Sequence, residues 1–449
     1  MSTIVKGRPG MSRPFFRYAA HRSPTGESIS RTTAFACIII VAMTFCSGPE
    51  TYAPIGSDKA AVRVCLSDRT DELVLGLAEG AVLRTVDHRY SLTGHEELRC
   101  SLQVDGTVLI SVDGTPARVM HGTFQCFYPR GIGAFTFGER SYGDTLHIST
   151  DGEQLFLINT LPLETYLRGV IPNEIGRNRG IDDLEAVKAQ AVLSRTYAIR
   201  KLVLPLSRLF DVHADTRDQV FSGIGEQDEI ANRAVHESRG IVLSFRGREA
   251  ECYYHSTCGG HTEASSLVWR RSQSTPWLAG ADDVLHTHDA CRISPSYRWT
   301  ETYTRTQLES LLRDFLPSLS DTLDNMNIPE HERHLLDMNI LKRSPSGRVS
   351  TLRIVMGTAT RHHSFHVYGD NIRRVLRRPD STPLRSTLFD IDIARDALKW
   401  ITAVQINGGG SGHGVGMCQW GALARSRAGQ SMQEILTKYF PGTSLRTLY

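Results

Sequence analysis

Glu174 closes the apolar run LPLETYLRGVIPNEIG (residues 161–176), directly behind Pro172 and Asn173 and beside Ile175. A carboxyl at the rim of a core loses part of its hydration, and because burial penalises the charged form its pKa climbs. A carboxyl that still holds its proton near neutrality is what general acid catalysis needs. The plainer alternative is a solvated loop glutamate, and the residue alone does not separate the two. Glu164, soon after Pro162, fits the start of a helix and reads as structural.

Two further stretches bring reactive side chains close together. GGGSGHGVGMCQWGALARSRAG (408–429) has six glycines in the nine positions 408–416 around His413, followed by Cys418, Gln419 and Trp420. Glycine that dense means positive φ or close backbone approach rather than regular structure. It matches neither a dinucleotide nor a phosphate-loop pattern, and no serine elbow falls on Ser411. A sugar-binding or catalytic loop and a plain loop ahead of a helix at about 419–429 both fit. In ECYYHSTCGGHTEAS (251–265), Cys252, His255, Cys258 and His261 recur every three residues. Four such groups invite a zinc reading, but the steps are unlike the split pairs of zinc sites and need not converge. The expectation is therefore no metal, with Tyr254 and His255 lining a cleft and Gly259-Gly260 turning the chain.

The elements that must position these groups are readable in outline. Residues 61–160 alternate in short runs (AVRVCL, ELVLGLA, GAVLRTV, TVLISV, TLHIST, QLFLIN) with Asp-Gly turns at 105–106, 113–114 and 151–152, which predicts a β-rich part. Leu184, Val187, Ala191, Ala198 and Leu202 keep helical spacing, predicting a helix over 182–203 with Asp182 and Glu185 as a capping box. On that helix Lys188 and Arg195 share a face that reads as mostly polar. Strands follow at GIVLSF and AECYYHST, then a polar, helix-compatible stretch near 305–340. Ser431 and Glu434 form a second capping-box pattern before a helix that Pro441-Gly442 stops. No repeat of 20–50 residues is visible.

With 22% charged and 40% hydrophobic residues, the 449-residue chain has the composition of a globular protein long enough for a large core. The net charge of +3 comes from the first 33 residues, which hold Lys6, Arg8, Arg13, Arg17, Arg22 and Arg31 against Glu27 alone. The remainder, 45 basic against 47 acidic residues, lacks the positive excess of a nucleic-acid binder. After the basic stretch, AFACIIIVAMTFC (Ala34–Cys46) is short for a membrane span and has the size of a signal-peptide core. This predicts export, to the periplasm or the outer face of the cytoplasmic membrane, with an uncleaved anchor as the alternative and a start at Met11 or lipidation at Cys46 left open. Membrane contact is expected only through this segment. Beyond Cys37 and Cys46 there are seven cysteines, an odd number in a chain too large to need a disulfide framework.

Together the blocks LPLETYLRGVIPNEIG, LEAVKAQAVLSRTYAIR, DTRDQVFSG, ANRAVHESRGIVLSF, YYHSTCGGHTEAS, LRSTLF and GHGVGMCQWGALARSRAGQSMQEILTKYFPGT, in that order over roughly 154–449, resemble the SpoIID/LytB family of bacterial cell-wall proteins. The resemblance implies an α+β fold. It divides the chain into residues 1–50 (signal peptide or anchor), a β-rich part at 51–152, and a mixed α/β SpoIID-type catalytic domain with a central groove at 153–449, carrying an insertion near 305–345.

Functionally it implies a peptidoglycan lytic transglycosylase that cleaves stem-peptide-free glycan strands to 1,6-anhydro ends, with Glu174 as the single acid and base. The binding residues it implies are Lys188, Gln190, Arg195, Tyr197, Tyr254, His255, Ser256, Thr262, His413 and Gln419. The alternative is a glycan-binding amidase enhancer that stimulates a cell-wall amidase. The partners are thus glycan strands and, on the second reading, an amidase. Some sporulation members bind zinc near a block like T-T-H-C-Q-V-Y, but here Arg217 and Asp218 stand at the His and Cys positions. Cys418 stands where serine is common.

Overall fold

The computed structural model describes residues 60–449 except 86–88, 93–95, 121–122, 130–132, 206, 226–227, 271–274, 317–333 and 359. The segment Ala34–Cys46 lies outside the described residues. Among them, no helix is long and apolar enough to cross a membrane.

The alternation over 61–160 becomes two antiparallel-built sheets. The larger runs in the order 212–213, 61–70, 155–162, 145–150, 124–127, 82–84, 89–91, its first strand joining in parallel. The smaller runs 140–142, 135–137, 72–77, 96–102, 108–112, 115–120. Leu73, Leu75 and Leu77 point one way from their strand and are buried, as a period of two requires. At the tip of one hairpin Asp113 and Gly114 take φ values of 47° and 74°, the two-residue turn whose twist suits paired strands. Glu96–Leu102 went unread as a strand, because only Leu98 and Cys100 of its residues are fully buried.

Strand Leu155–Pro162 runs without a loop into α1 (Leu163–Ile175). Helix α2 (Leu184–Val203) lies against α1 and α3 (Glu229–Glu237). A short α4 (Ser265–Val268) precedes α5 (Arg305–Phe315), which a Thr304/Gln307 capping box starts, and α6 (Asn371–Val375) follows. The C-terminal helices α7 (Gln419–Arg427) and α8 (Met432–Tyr439) also pack on α2. The Ser431/Glu434 box forms as read.

Three expectations change. The Asp182/Glu185 box does not form: 181–183 is a 3₁₀ turn, Asp183 binds Arg427, and Glu185 accepts from Lys188 and the Met432 amide. The segment near 305–340 is not helical throughout, since α5 ends at Phe315 and His334–Arg343 is a strand. Of AECYYHST only Tyr254–His255 pairs as a strand, in parallel with Met417–Cys418. That short pairing joins two of the chemistry-bearing blocks.

Among the described residues two large hydrophobic cores result, beside a small cluster of Cys65, Phe156, Ile158 and Phe210. The first runs from Val62 to Cys291 and resumes from Val415 to Phe440. The second is built entirely from residues between, Tyr303 to Ile406, where two three-stranded sheets close around α5 and α6. Trp299 faces Gly408 across the first of these sheets, so the intervening chain leaves and returns at one place.

Candidate active site

Glu174 occupies the last turn of α1, one residue before the helix ends at Ile175. Pro172 sits inside this helix, where it removes a backbone donor. Against the same helix lies the segment 220–223, admitted by Gly169: a Cβ there would collide with the Gly223 carbonyl and the Phe221 ring. Asn173 and Ser222 bind the Gly169 carbonyl at 2.7 and 3.4 Å and each other at 2.9 Å, fixing the approach. Its outcome is that the Val220 amide donates to Glu174 Oε1 at 2.9 Å.

Glu174 is half-buried. Burial raises its pKa above the usual carboxyl value, against the opposing pull of the Val220 amide and the Tyr254 hydroxyl. Behind it runs a buried polar chain. Tyr166 donates to Gln219 Oε1 (3.1 Å), and Gln219 Nε2 donates to the Tyr254 oxygen (3.0 Å). Gln419 Nε2 donates to Gln190 Oε1, and Gln190 Nε2 to Ser194 Oγ, both at 3.2 Å. Ser194 hydrogen-bonds Tyr254 in turn. Tyr254 is thus held by partners on α2 and on the 219–222 segment, with its hydroxyl at Glu174.

Tyr254 also lines a cleft of about 590 Å³, together with Tyr197, Tyr253, Trp269 and His413 from the first core and Asp370, Arg373 and Arg374 from the second. His413 is half-buried; it accepts from the Val415 amide at Nδ1 (3.0 Å), and burial lowers its pKa to about 4, so the ring is neutral. The Trp269 and His255 rings lie 5.3 and 5.6 Å from it. The glycines of this loop have a steric cause: a Cβ at Gly412 would meet the His255 Cβ at 2.7 Å, and one at Gly416 would strike the Tyr253 carbonyl.

The residues read from sequence divide into two groups. Tyr197, Tyr254 and His413 line the cleft, and Glu174 meets it through the Tyr254 hydroxyl. Arg195 does not: it is fully buried, its guanidinium bound to both Glu164 oxygens at 2.7 and 2.8 Å. The polar face expected for Lys188 and Arg195 is therefore absent, since α2 is enclosed by other helices. Lys188 is engaged by Glu185 (2.7 Å) and Glu237 (3.3 Å). Gln190 is fully buried, and Gln419 nearly so, which makes both positioning groups. Thr262 is buried in paired bonds with Ala281, and Ser256 gives its carbonyl to Trp420. His255 is buried, its Nδ1 on the Val415 carbonyl and its Nε2 without a hydrogen-bond partner among the described residues.

The set Cys252, His255, Cys258 and His261 does not converge as a ligand group. Cys252 points to the Leu193 carbonyl, His261 to its neighbour Thr262 and to Asp282. Nor is there a ligand pair at 217–218. Arg217 binds Asp68 and Asp215, while both Asp218 oxygens are taken, Oδ1 by Tyr197 and Lys201 (2.6 Å each) and Oδ2 by the His213 amide and ring (2.9 and 2.8 Å). Sequence reasoning missed Tyr166, Ser194 and Gln219; all three lie in the family-like blocks, but nothing there marks them as members of a buried polar chain.

Residues 151–245 match the family described as Stage II sporulation protein (SpoIID), and residues 280–416, which include nearly all of the second core, match a domain of unknown function, DUF8618. The chain is 30% identical over 300 residues to the amidase enhancer of Bacillus subtilis (strain 168), covering 62% of this chain and 40% of that protein. It is 24% identical over 303 residues to stage II sporulation protein D of the same organism, covering 64% and 75%. An uncharacterized protein of Brachyspira hyodysenteriae is 27% identical over 312 residues, covering 69% and 74%. The chain therefore spans less than half of the amidase enhancer it matches. Residues 151–245, which carry α1, α2 and Glu174, are thus similar to the SpoIID family, and the chain's relatives include proteins named for both of its branches, a sporulation protein D and an amidase enhancer.

Proposed function

We propose that the protein is an exported lytic transglycosylase that cleaves the glycan strands of peptidoglycan, with Glu174 as general acid and then base. The observation that carries this reading is a half-buried carboxyl whose pKa is raised, beside an acid that cannot assist it. Most glycosidases need two working carboxyl groups. Asp218, on the neighbouring segment, is held ionised by Lys201, Tyr197 and His213, with both oxygens committed. A single free acid suits a cleavage in which the substrate supplies its own nucleophile.

In that reaction protonated Glu174 gives its proton to the glycosidic oxygen as the bond to muramic acid C1 breaks. The C6 hydroxyl of the same sugar attacks C1 and passes its proton to the Glu174 carboxylate. The products are a free GlcNAc hydroxyl and a 1,6-anhydro end, and no water is consumed. Trp269, Tyr253 and Tyr197 offer ring faces for sugars. Arg374, exposed in the cleft, suits the lactyl carboxylates that are bare where stem peptides are missing.

The test is incubation of the protein and its Glu174→Gln variant with glycan strands stripped of stem peptides, read by mass spectrometry. Anhydro-ended fragments from the parent alone are expected. Intact strands from both sink the enzyme reading. The similarity to an amidase enhancer gives that outcome a meaning: a glycan-binding role that stimulates a cell-wall amidase equally in parent and variant.

A further inference from the structure

We propose that Cys258, Asp283, Cys291 and Cys418 form a structural zinc site that fastens the cleft-lining loops to the first core. The proposal does not depend on the catalytic reading above. All four side chains are fully buried, and one ligand atom from each lies within 4.8 Å of the others. They come from three separate stretches: the turn after strand Tyr254–His255, the hairpin and 3₁₀ turn at 283–293, and the N-cap of α7. Tetrahedral zinc with bonds of about 2.3 Å to sulfur separates its thiolates by roughly 3.8 Å. Here Cys258 Sγ is 3.5 Å from Cys291 Sγ and 3.2 Å from Asp283 Oδ2. Small adjustments of the four side chains suffice, Cys258 moving slightly away from Cys291 and Asp283 to admit the ion.

The surroundings are arranged for negative sulfur. The Cys258 and Gly421 amides point at Cys418 Sγ (3.2 and 3.3 Å), and the Gly260 amide points at Cys258 Sγ (3.3 Å). Cys418 also sits at the positive end of a nine-residue helix. A cation bound there lets all three thiols ionise, their protons passing to solvent.

Asp283 is prepared on its outer side. Its Oδ1 accepts from Arg425 (2.9 Å) and Tyr439 (2.8 Å), leaving Oδ2 turned toward the thiols. This is how an outer layer orients a metal-binding carboxylate. Charge also fits. Three thiolates and a carboxylate around a dication leave a net negative site, and two cationic side chains lie beside it. One is Arg425; the other is Arg348, which is 1% exposed, binds the Cys258 carbonyl at 2.6 Å, and has Nε and Nη1 without hydrogen-bond partners among the described residues. A Cys258–Cys291 disulfide would instead leave Cys418 odd and a buried carboxylate facing an uncharged bond. A donor set of three sulfurs and one oxygen favours zinc over the oxygen-seeking cations.

The decisive measurement is metal content of the full-length protein purified without chelator, by elemental mass spectrometry, with the intact mass recorded under denaturing conditions. One zinc per chain and three titratable thiols at these positions are expected. After chelation, cobalt should restore stoichiometric binding with thiolate-to-cobalt charge-transfer bands, which Cys418→Ser abolishes. Because a ligand variant can fail to fold, Tyr439→Phe supplies the second arm: it keeps the ring and Arg425, and should weaken zinc by about tenfold or more. Protein without zinc that takes up no cobalt, or a mass showing Cys258 joined to Cys291, overturns the proposal.

Discussion

The two cores of this molecule are built on different principles. The second, between Tyr303 and Ile406, buries few polar side chains among its aliphatic and aromatic residues, chiefly Glu309, Arg348, Ser386 and Thr387. The first buries Glu164, Gln190, Ser194, Arg195, Gln219 and Asp283 among its leucines and valines. Each buried polar group costs desolvation unless its hydrogen bonds are complete, and a buried ion pair is no sure gain. A region that tolerates so many has a use for their directionality: Gln219 and Ser194, the latter backed by Gln190, hold Tyr254 beside one carboxyl. The second core lends the cleft only its edge, through Asp370, Arg373 and Arg374.

Substitutions can break or sharpen this contrast. The largest effect is expected from Glu174→Gln, which should cost about a thousandfold in strand cleavage, within the range for loss of a general acid, while the melting temperature hardly moves. Arg195→Ala should cost about 3–5 kcal/mol by leaving Glu164 charged and buried, measured by urea unfolding. Leu312→Ala in the second core should cost a similar 2–5 kcal/mol by cavity formation. The contrast fails if Arg195→Ala is as mild as a surface change.

Tyr254→Phe tests the electrostatics. Its hydroxyl stabilises the charged form of Glu174, so removing it should raise the Glu174 pKa further. Cleavage requires the protonated acid and falls as pH rises through that pKa. The falling limb should therefore move to higher pH in the variant; a shift to lower pH contradicts the assigned roles. Smallest of all, Thr304→Ala removes the cap of α5 and should cost about 1 kcal/mol with unchanged cleavage by the folded fraction.

What could be read in the sequence follows the same division. The strands at 61–77 and the apolar spacing of α2 were visible because alternation and helical period are local. That α2 buries Gln190, Ser194 and Arg195 was not, because α1, α3, α7 and α8 enclose most of the helix, and polar residues on a helix read as surface. Glu174 was singled out by its apolar neighbours, yet the Val220 amide reaches it only through the close approach at Gly169. Proximity in sequence is no guide to the cysteines: the side chains of Cys252, His255, Cys258 and His261 go to separate partners, whereas Cys258, Asp283, Cys291 and Cys418 are distant along the chain and meet. Distant pairings of this kind leave no periodic trace.

The crossing at Trp299 and Gly408 gives the chain a history during its own synthesis. Leaving and re-entering the first core at one point makes the second core a parenthesis, able to close on itself once its last strand has been made. The α7 and α8 helices come after it. Glu174 is thus translated early and waits, through the folding of an entire neighbouring unit, for Gln419 and Cys418 to complete its surroundings. A ribosome making this protein assembles the scaffold around the reactive carboxyl first and its finishing contacts last.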